Sequence, residues 1–147
     1  MKHTLYIVAL IFFQITVVYA QSGRVFNKGY IKKSMIRAAK WQLKHPRHEL
    51  YDWTNGALYA GLFGAWETTD SKKLYKALMK MGQKNDWKPG KRLHHADDYA
   101  ISQTYIDLFR KENQVKMILP TIDSLDKFMA TPYPVEGIRQ IAWLWCD

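Results

Sequence analysis

Hydrophobic and polar positions along the chain alternate with helical spacing almost throughout. From about Lys32 to His45, Met35, Ile36, Ala39 and Leu43 recur at steps of three and four, which predicts an amphipathic helix closed by Pro46. A second helix, about Tyr51 to Glu67, differs in kind. Ala57, Ala60, Gly61, Gly64 and Ala65 give it a small-residue face, and Leu58, Leu62, Phe63 and Trp66 fill the rest. With almost no charge it is expected to be buried on most sides. Its interior glycines, which cost about 1 kcal/mol each relative to alanine, imply close approach of neighbours. After the capping cluster Thr69-Asp70-Ser71, a third helix runs to Lys84 with Leu74, Ala77, Leu78 and Met81 on one side and lysines on the other.

Pro89-Gly90 marks a loop, and the stretch His94 to Tyr105 opens a fourth helix carrying Ile101, Tyr105, Leu108 and Phe109. A fifth covers roughly Gln114 to Ala130. Pro120 falls inside it, so the helix either kinks there or starts nearer the proline. Past the rigid Thr131–Gly137 loop, Ile141 to Asp147 is a sixth apolar run. Taken in pairs these helices repeat about every 40 residues. Odd members are lysine-rich, whereas even members are apolar and keep their unusual polar residues at their beginnings. The pattern predicts an all-α fold, an α-hairpin array that forms either a solenoid or part of a helical barrel. No strand is expected.

The first twenty residues stand apart. A short basic start, an apolar run from Leu5 to Val18 and the small-residue spacing Val18-Tyr19-Ala20 have the layout of an export leader cleaved after Ala20. The run is shorter than the roughly 18–20 apolar residues of a membrane anchor. The expectation is a secreted or periplasmic protein without stable membrane insertion after cleavage, with residues 21–147 as the mature domain. At 48% hydrophobic and 14% aromatic the chain describes one globular unit. Its formal net charge is +9, and loss of Lys2 with the leader lowers it by one. That charge suits an anionic partner such as an acidic polysaccharide, and also describes an ordinary solvated surface, the reading that dispersed charge favours. The basic residues are dispersed (Lys32-Lys33, Lys72-Lys73, Lys88, Lys91-Arg92), which together with export argues against nucleic acid. Cys146 is the single cysteine, so packing and not a disulfide must hold the fold. Its flanks, Trp145 and Asp147 in an apolar stretch, suit a buried inert thiol.

Candidate chemistry concentrates at the openings of the even helices. Asp97-Asp98 follow His94-His95 where the loop becomes helix four. One reading is capping, with both acids exposed; the other is a carboxylate that projects into a cleft to bind a sugar hydroxyl or move a proton. No further cluster with ligand spacing supports a metal at the histidines. Trp53 and Asn55 start helix two; Trp143, Trp145 and Asp147 belong to helix six. Aromatic faces beside carboxylates suit carbohydrate, though core packing accounts equally for some of the tryptophans. A nucleophile elbow, a phosphate loop, a zinc motif and a dinucleotide fingerprint are all missing, and no cofactor is expected.

Tyr51-Asp52-Trp53-Thr54-Asn55-Gly56, His95-Ala96-Asp97-Asp98 with Gln103-Thr104-Tyr105, and Trp143-Leu144-Trp145-Cys146-Asp147 occur in that order. Together they resemble the successive motifs of the unsaturated glycuronyl hydrolases, glycoside hydrolase family 105 and its relative family 88. The resemblance implies an (α/α)6 barrel of which this chain is the N-terminal half. It also implies hydration of the double bond in a Δ4,5-unsaturated uronic acid of an acidic, rhamnogalacturonan-type oligosaccharide. On that resemblance Asp147 is the general acid/base and Asp97 holds sugar hydroxyls near the double bond, with Asp98 the alternative by a one-residue shift. Trp53, Asn55, His95 and Trp143 line the substrate pocket. The abrupt apolar ending, without a capping glycine or polar tail, reads as a truncated domain, and a half barrel with an open apolar face is expected to be inactive or unstable by itself. The competing functional reading is a non-catalytic helical array that binds acidic glycans or a protein. The recurrence of carboxylates at the same ends of the even helices disfavours it.

Overall fold

The computed structural model describes residues 26–131, and every regular element among them is helical. Helix α1 (Lys28–Lys44) starts four residues earlier than its apolar pattern indicates, because Asn27 caps it: the Asn27 side-chain oxygen accepts from the backbone N–H groups of Gly29 at 2.9 Å and Tyr30 at 3.2 Å. Helix α2 (Trp53–Thr69) begins at Asp52, whose carboxylate accepts the Thr54 N–H at 2.9 Å. It ends where Asp70 turns left-handed at φ 53° and returns its N–H to Trp66. Asp70 is thus the last residue of one turn and not part of the next helix's cap. Helix α3 (Lys72–Lys84) follows after a two-residue link.

The largest departure from the sequence pattern is at helix four. The His95-Ala96-Asp97-Asp98 segment is not the first turn of an α-helix; Ala96–Tyr99 form a short 3-10 turn, and α4 proper spans Ser102–Glu112. A second 3-10 turn, Val115–Met117, leads into α5 (Leu119–Ala130). Pro120 lies in the first turn of α5, where its missing N–H costs nothing. The proline therefore starts the helix and does not kink it.

Helix α2 is the hub, packing on α1, α3 and α4. Leu62, Leu74, Leu78, Ile101, Tyr105 and Leu108 meet in the core at 2% exposure or less. Each such side chain contributes about 1.5–3 kcal/mol through removal from water. Polar ties also cross between helices: the Tyr75 hydroxyl donates to Glu112 at 2.8 Å, Lys111 pairs with Glu67 at 2.7 Å, and the buried Thr121 hydroxyl donates to that of Ser102 at 3.1 Å. The expected tight packing around the α2 glycines holds at one position only. A Cβ on Gly56 would lie 2.9 Å from the Ala100 carbonyl carbon, so α2 rests directly on the backbone that enters α4. Gly61 and Gly64 face open space instead. Helix α5 leaves Leu119, Ile122, Leu125 and Met129 exposed. The expected leader (residues 1–20) and the run 141–147, with Trp143, Cys146 and Asp147, lie outside the described residues.

Candidate functional site

The connection from α3 to α4 places the paired aspartates. It leaves α3 through two successive left-handed residues, Asp86 (φ 51°) and Trp87 (φ 58°). This unusual path for non-glycine residues buries the Trp87 ring over Gly82, where a Cβ would come within 2.2 Å of the indole. The same ring meets Tyr105 edge-on at 5.5 Å. The Tyr105 hydroxyl donates to the Lys88 carbonyl at 3.2 Å and accepts from the Asn85 amide at 2.9 Å. Burial pushes Tyr105 up to about 12, so it stays a neutral donor.

Beyond Lys88 the loop is drawn onto Asp98. The Asp98 carboxylate is almost fully buried and accepts three bonds from Arg92: from the backbone N–H at 2.7 Å, Nε at 2.9 Å and Nη2 at 2.5 Å. Its backbone carbonyl takes the Gly90 N–H at 2.7 Å. Gly90 admits no side chain, since a Cβ would sit 2.3 Å from Asp98 Oδ2. Asp98 is therefore neither an exposed cap nor a free ligand; its lone pairs are spent inside the loop. In return Asp98 holds the Arg92 guanidinium further toward its charged form, with smaller contributions from Asp97 and Asp52.

Asp97 takes the opposite orientation. Its side chain is 47% exposed, and Oδ2 lies 3.7 Å from the mostly buried His95 Nδ1, beyond hydrogen-bond reach. Of the two adjacent carboxylates, only Asp97 is presented outward. The Tyr99 hydroxyl closes the turn by donating to the Leu93 carbonyl at 2.9 Å, and the His94 ring meets Phe128 of α5 at 5.0 Å.

The head of α2 lies alongside this turn. The Asp52 carboxyl is held below its ordinary range, first by the Thr54 hydroxyl and the Thr54 N–H, and further by the charges of His48 and Arg92. Trp53 is 54% exposed. Asn55 is turned inward, its amide nitrogen donating to the carbonyls of His48 (3.0 Å) and Glu49 (2.6 Å), so it braces the α1–α2 loop. A cleft of about 540 Å³ opens there, lined by Trp41, His45, Arg47, His48, Thr54 and Asn55. The structure thus gathers Asp97, Asp98 and His95 in one turn beside the head of α2. Trp143 and Asp147 lie outside the described residues. Sequence reasoning missed Arg92 and Gly90, whose signal was an arginine two residues past a Pro-Gly turn and six residues before an aspartate. Among the described residues no group of three metal-ligating side chains gathers, and no helix is long and apolar enough to cross a membrane.

Beside the head of α2 the helical array thus presents an outward carboxylate, Asp97, and an exposed tryptophan, Trp53. Residues 27–147 match the model of glycosyl hydrolase family 88, and the chain belongs to that family. It is 36% identical over 141 residues to an unsaturated 3S-rhamnoglycuronyl hydrolase of Formosa agariphila, a match that covers 88% of this chain and 37% of the relative. It is also 28% identical over 112 residues to a protein of the same description from an Alteromonas species, covering 65% of this chain and 27% of the relative. The matches therefore span 37% and 27% of the lengths of these two relatives.

Proposed function

We propose that the protein to which this chain belongs is a glycoside hydrolase that removes a Δ4,5-unsaturated uronic acid from an acidic, rhamnose-containing oligosaccharide. The observation that carries this reading is the family 88 match across residues 27–147, joined by two relatives described as unsaturated 3S-rhamnoglycuronyl hydrolases. Asp147 protonates C4 of the double bond and water adds at C5, its surplus proton returning to the carboxylate. The hemiketal so formed opens and releases the next sugar. Asp97 holds the sugar hydroxyls near the double bond, a role its outward carboxylate suits. Trp53 gives the sugar ring an apolar wall, and His95 stands behind Asp97. Export by the leader brings the protein to where polysaccharide lyases leave unsaturated ends. The exposed apolar residues of α5 support the further reading that residues 1–147 are inactive when isolated.

The test is incubation of the full-length protein with an unsaturated rhamnoglycuronyl disaccharide and, separately, its rhamnogalacturonan counterpart, following the ultraviolet absorbance of the double bond. Absorbance should disappear with the substrate of the enzyme. Asp147→Asn should slow that loss by on the order of 10²–10⁴, the usual contribution of a general acid. Wild type and Asp147→Asn behaving alike would reject the mechanism.

A further inference from the structure

We propose that Arg92 and Asp98 form a fixed clamp that orients Asp97, which makes Arg92 a positioning residue for the reaction. The proposal rests on the reading of Asp97 as the group that holds the sugar. Three independent contacts tie one short segment to Asp98: the Arg92 main chain, the Arg92 guanidinium through two nitrogens, and the Gly90 N–H. A planar guanidinium binding through two of its nitrogens fixes direction as well as distance, which an ammonium does not. Asp98 is 4% exposed, so removal of Arg92 would leave a buried carboxylate without its counter-charge. Gly90 lies against that carboxylate and Gly56 against the Ala100 backbone, so the Asp97–Ala100 turn is held on both sides by contacts that leave no space for a Cβ.

Among the described residues the Asp97 carboxylate accepts no hydrogen bond, with His95 Nδ1 3.7 Å away, and it sits between His95 and Asp98 in this turn. Its direction is inherited from the turn, and the turn's direction is set by the clamp. A carboxylate oriented before substrate arrives loses less entropy on binding, whereas one displaced by about 1 Å can cost on the order of 100-fold in rate.

The experiment is a double-mutant cycle in the full-length enzyme, with turnover of unsaturated disaccharide as one readout and hydrogen exchange of the Gly90 and Arg92 amides as the other. Arg92→Gln and Asp98→Asn should each lower turnover on the order of 10- to 100-fold, with Arg92→Lys restoring only part of it. In an Asp97→Asn background, measured on its residual activity, the same changes should add less than about twofold, because a clamp that acts through Asp97 has nothing left to orient. Amide protection at Gly90 and Arg92 should fall at least about tenfold in Arg92→Gln. Equal losses in both backgrounds, wild-type turnover in Arg92→Gln, or unchanged amide protection would each overturn the proposal. If wild type itself turns over no unsaturated sugar, the functional reading fails and the positioning role fails with it. Amide exchange then still reports whether the clamp holds the loop.

Discussion

At the residue scale, three threonines and the paired aspartates show how much depends on a partner. Thr68 and Thr69 return their hydroxyls to carbonyls one turn back, on Gly64 and Ala65. Thr104, wholly buried on α4, has no hydrogen-bond partner for its hydroxyl among the described residues. Thr104→Val keeps the branched shape and deletes the unsatisfied group, so it should stabilise the chain by about 1 kcal/mol and raise the melting temperature by roughly 4–8 °C. A lower melting temperature would show the hydroxyl to be satisfied. Asp97 and Asp98 carry the opposite lesson. Adjacent identical residues look alike in a sequence, and their divergence, one exposed and one buried, is decided by Arg92. A loop pairing of that kind has no period, so the helical pattern that found α2 and α3 could not find it.

At the element scale, the caps sort the helices. The Asp52 carboxylate bonds the Thr54 N–H, whereas Ser71 at the head of α3 makes no side-chain cap bond. Asp52→Ala should therefore destabilise by about 1 kcal/mol, and Ser71→Ala by only a few tenths, as read from urea midpoints at unchanged m-value. Equal effects would mean that the cap geometry is not decisive. Helix α3 was readable to within one residue because its core face and lysine face separate cleanly. Helix α4 was not. The acids, histidines and Tyr99 before it fit a helical spacing, but their hydrogen bonds run backwards into the loop, and a 3-10 turn meets that demand where an α-turn would not. The small residues expected to seat α2 against its neighbours are largely on its outer side, with Ala57, Gly61 and Gly64 exposed, and the close approach occurs at Gly56 outside that set, since spacing shows which residues share a face but not what lies opposite.

At the scale of the whole molecule, stability should form a plateau in pH with a different cause at each edge. Asp52 is held below its ordinary 3.8, so its contribution is fully present above that value and is lost as pH falls through the lower folded-state value. Tyr59, Tyr75, Tyr99 and Tyr105 are all raised, chiefly by burial. Their contribution is fully present below the ordinary 10.0 and is lost as pH rises, for Tyr105 through about 12. Urea midpoints measured against pH should fall at both ends. Asp52→Asn should flatten the acid limb and Tyr105→Phe the alkaline one; a limb unchanged by its variant would assign that edge to other groups. The all-α class was readable because periodicity survives any arrangement of the helices, and the family emerged from three short motifs in order. The proposed site was readable only in its residue types.

The fasteners of the Lys88–Leu93 loop have one further consequence. Lys88 is held by Tyr105, Gly90 and Arg92 by Asp98, and Leu93 by Tyr99, so each anchor lies downstream of the residue it secures. On a growing chain at about 5–20 residues per second, Lys88 leaves the ribosome on the order of a second before Tyr105 exists to receive it. The loop that carries the proposed clamp therefore emerges ahead of every one of these supports and is fastened only from the chain made after it.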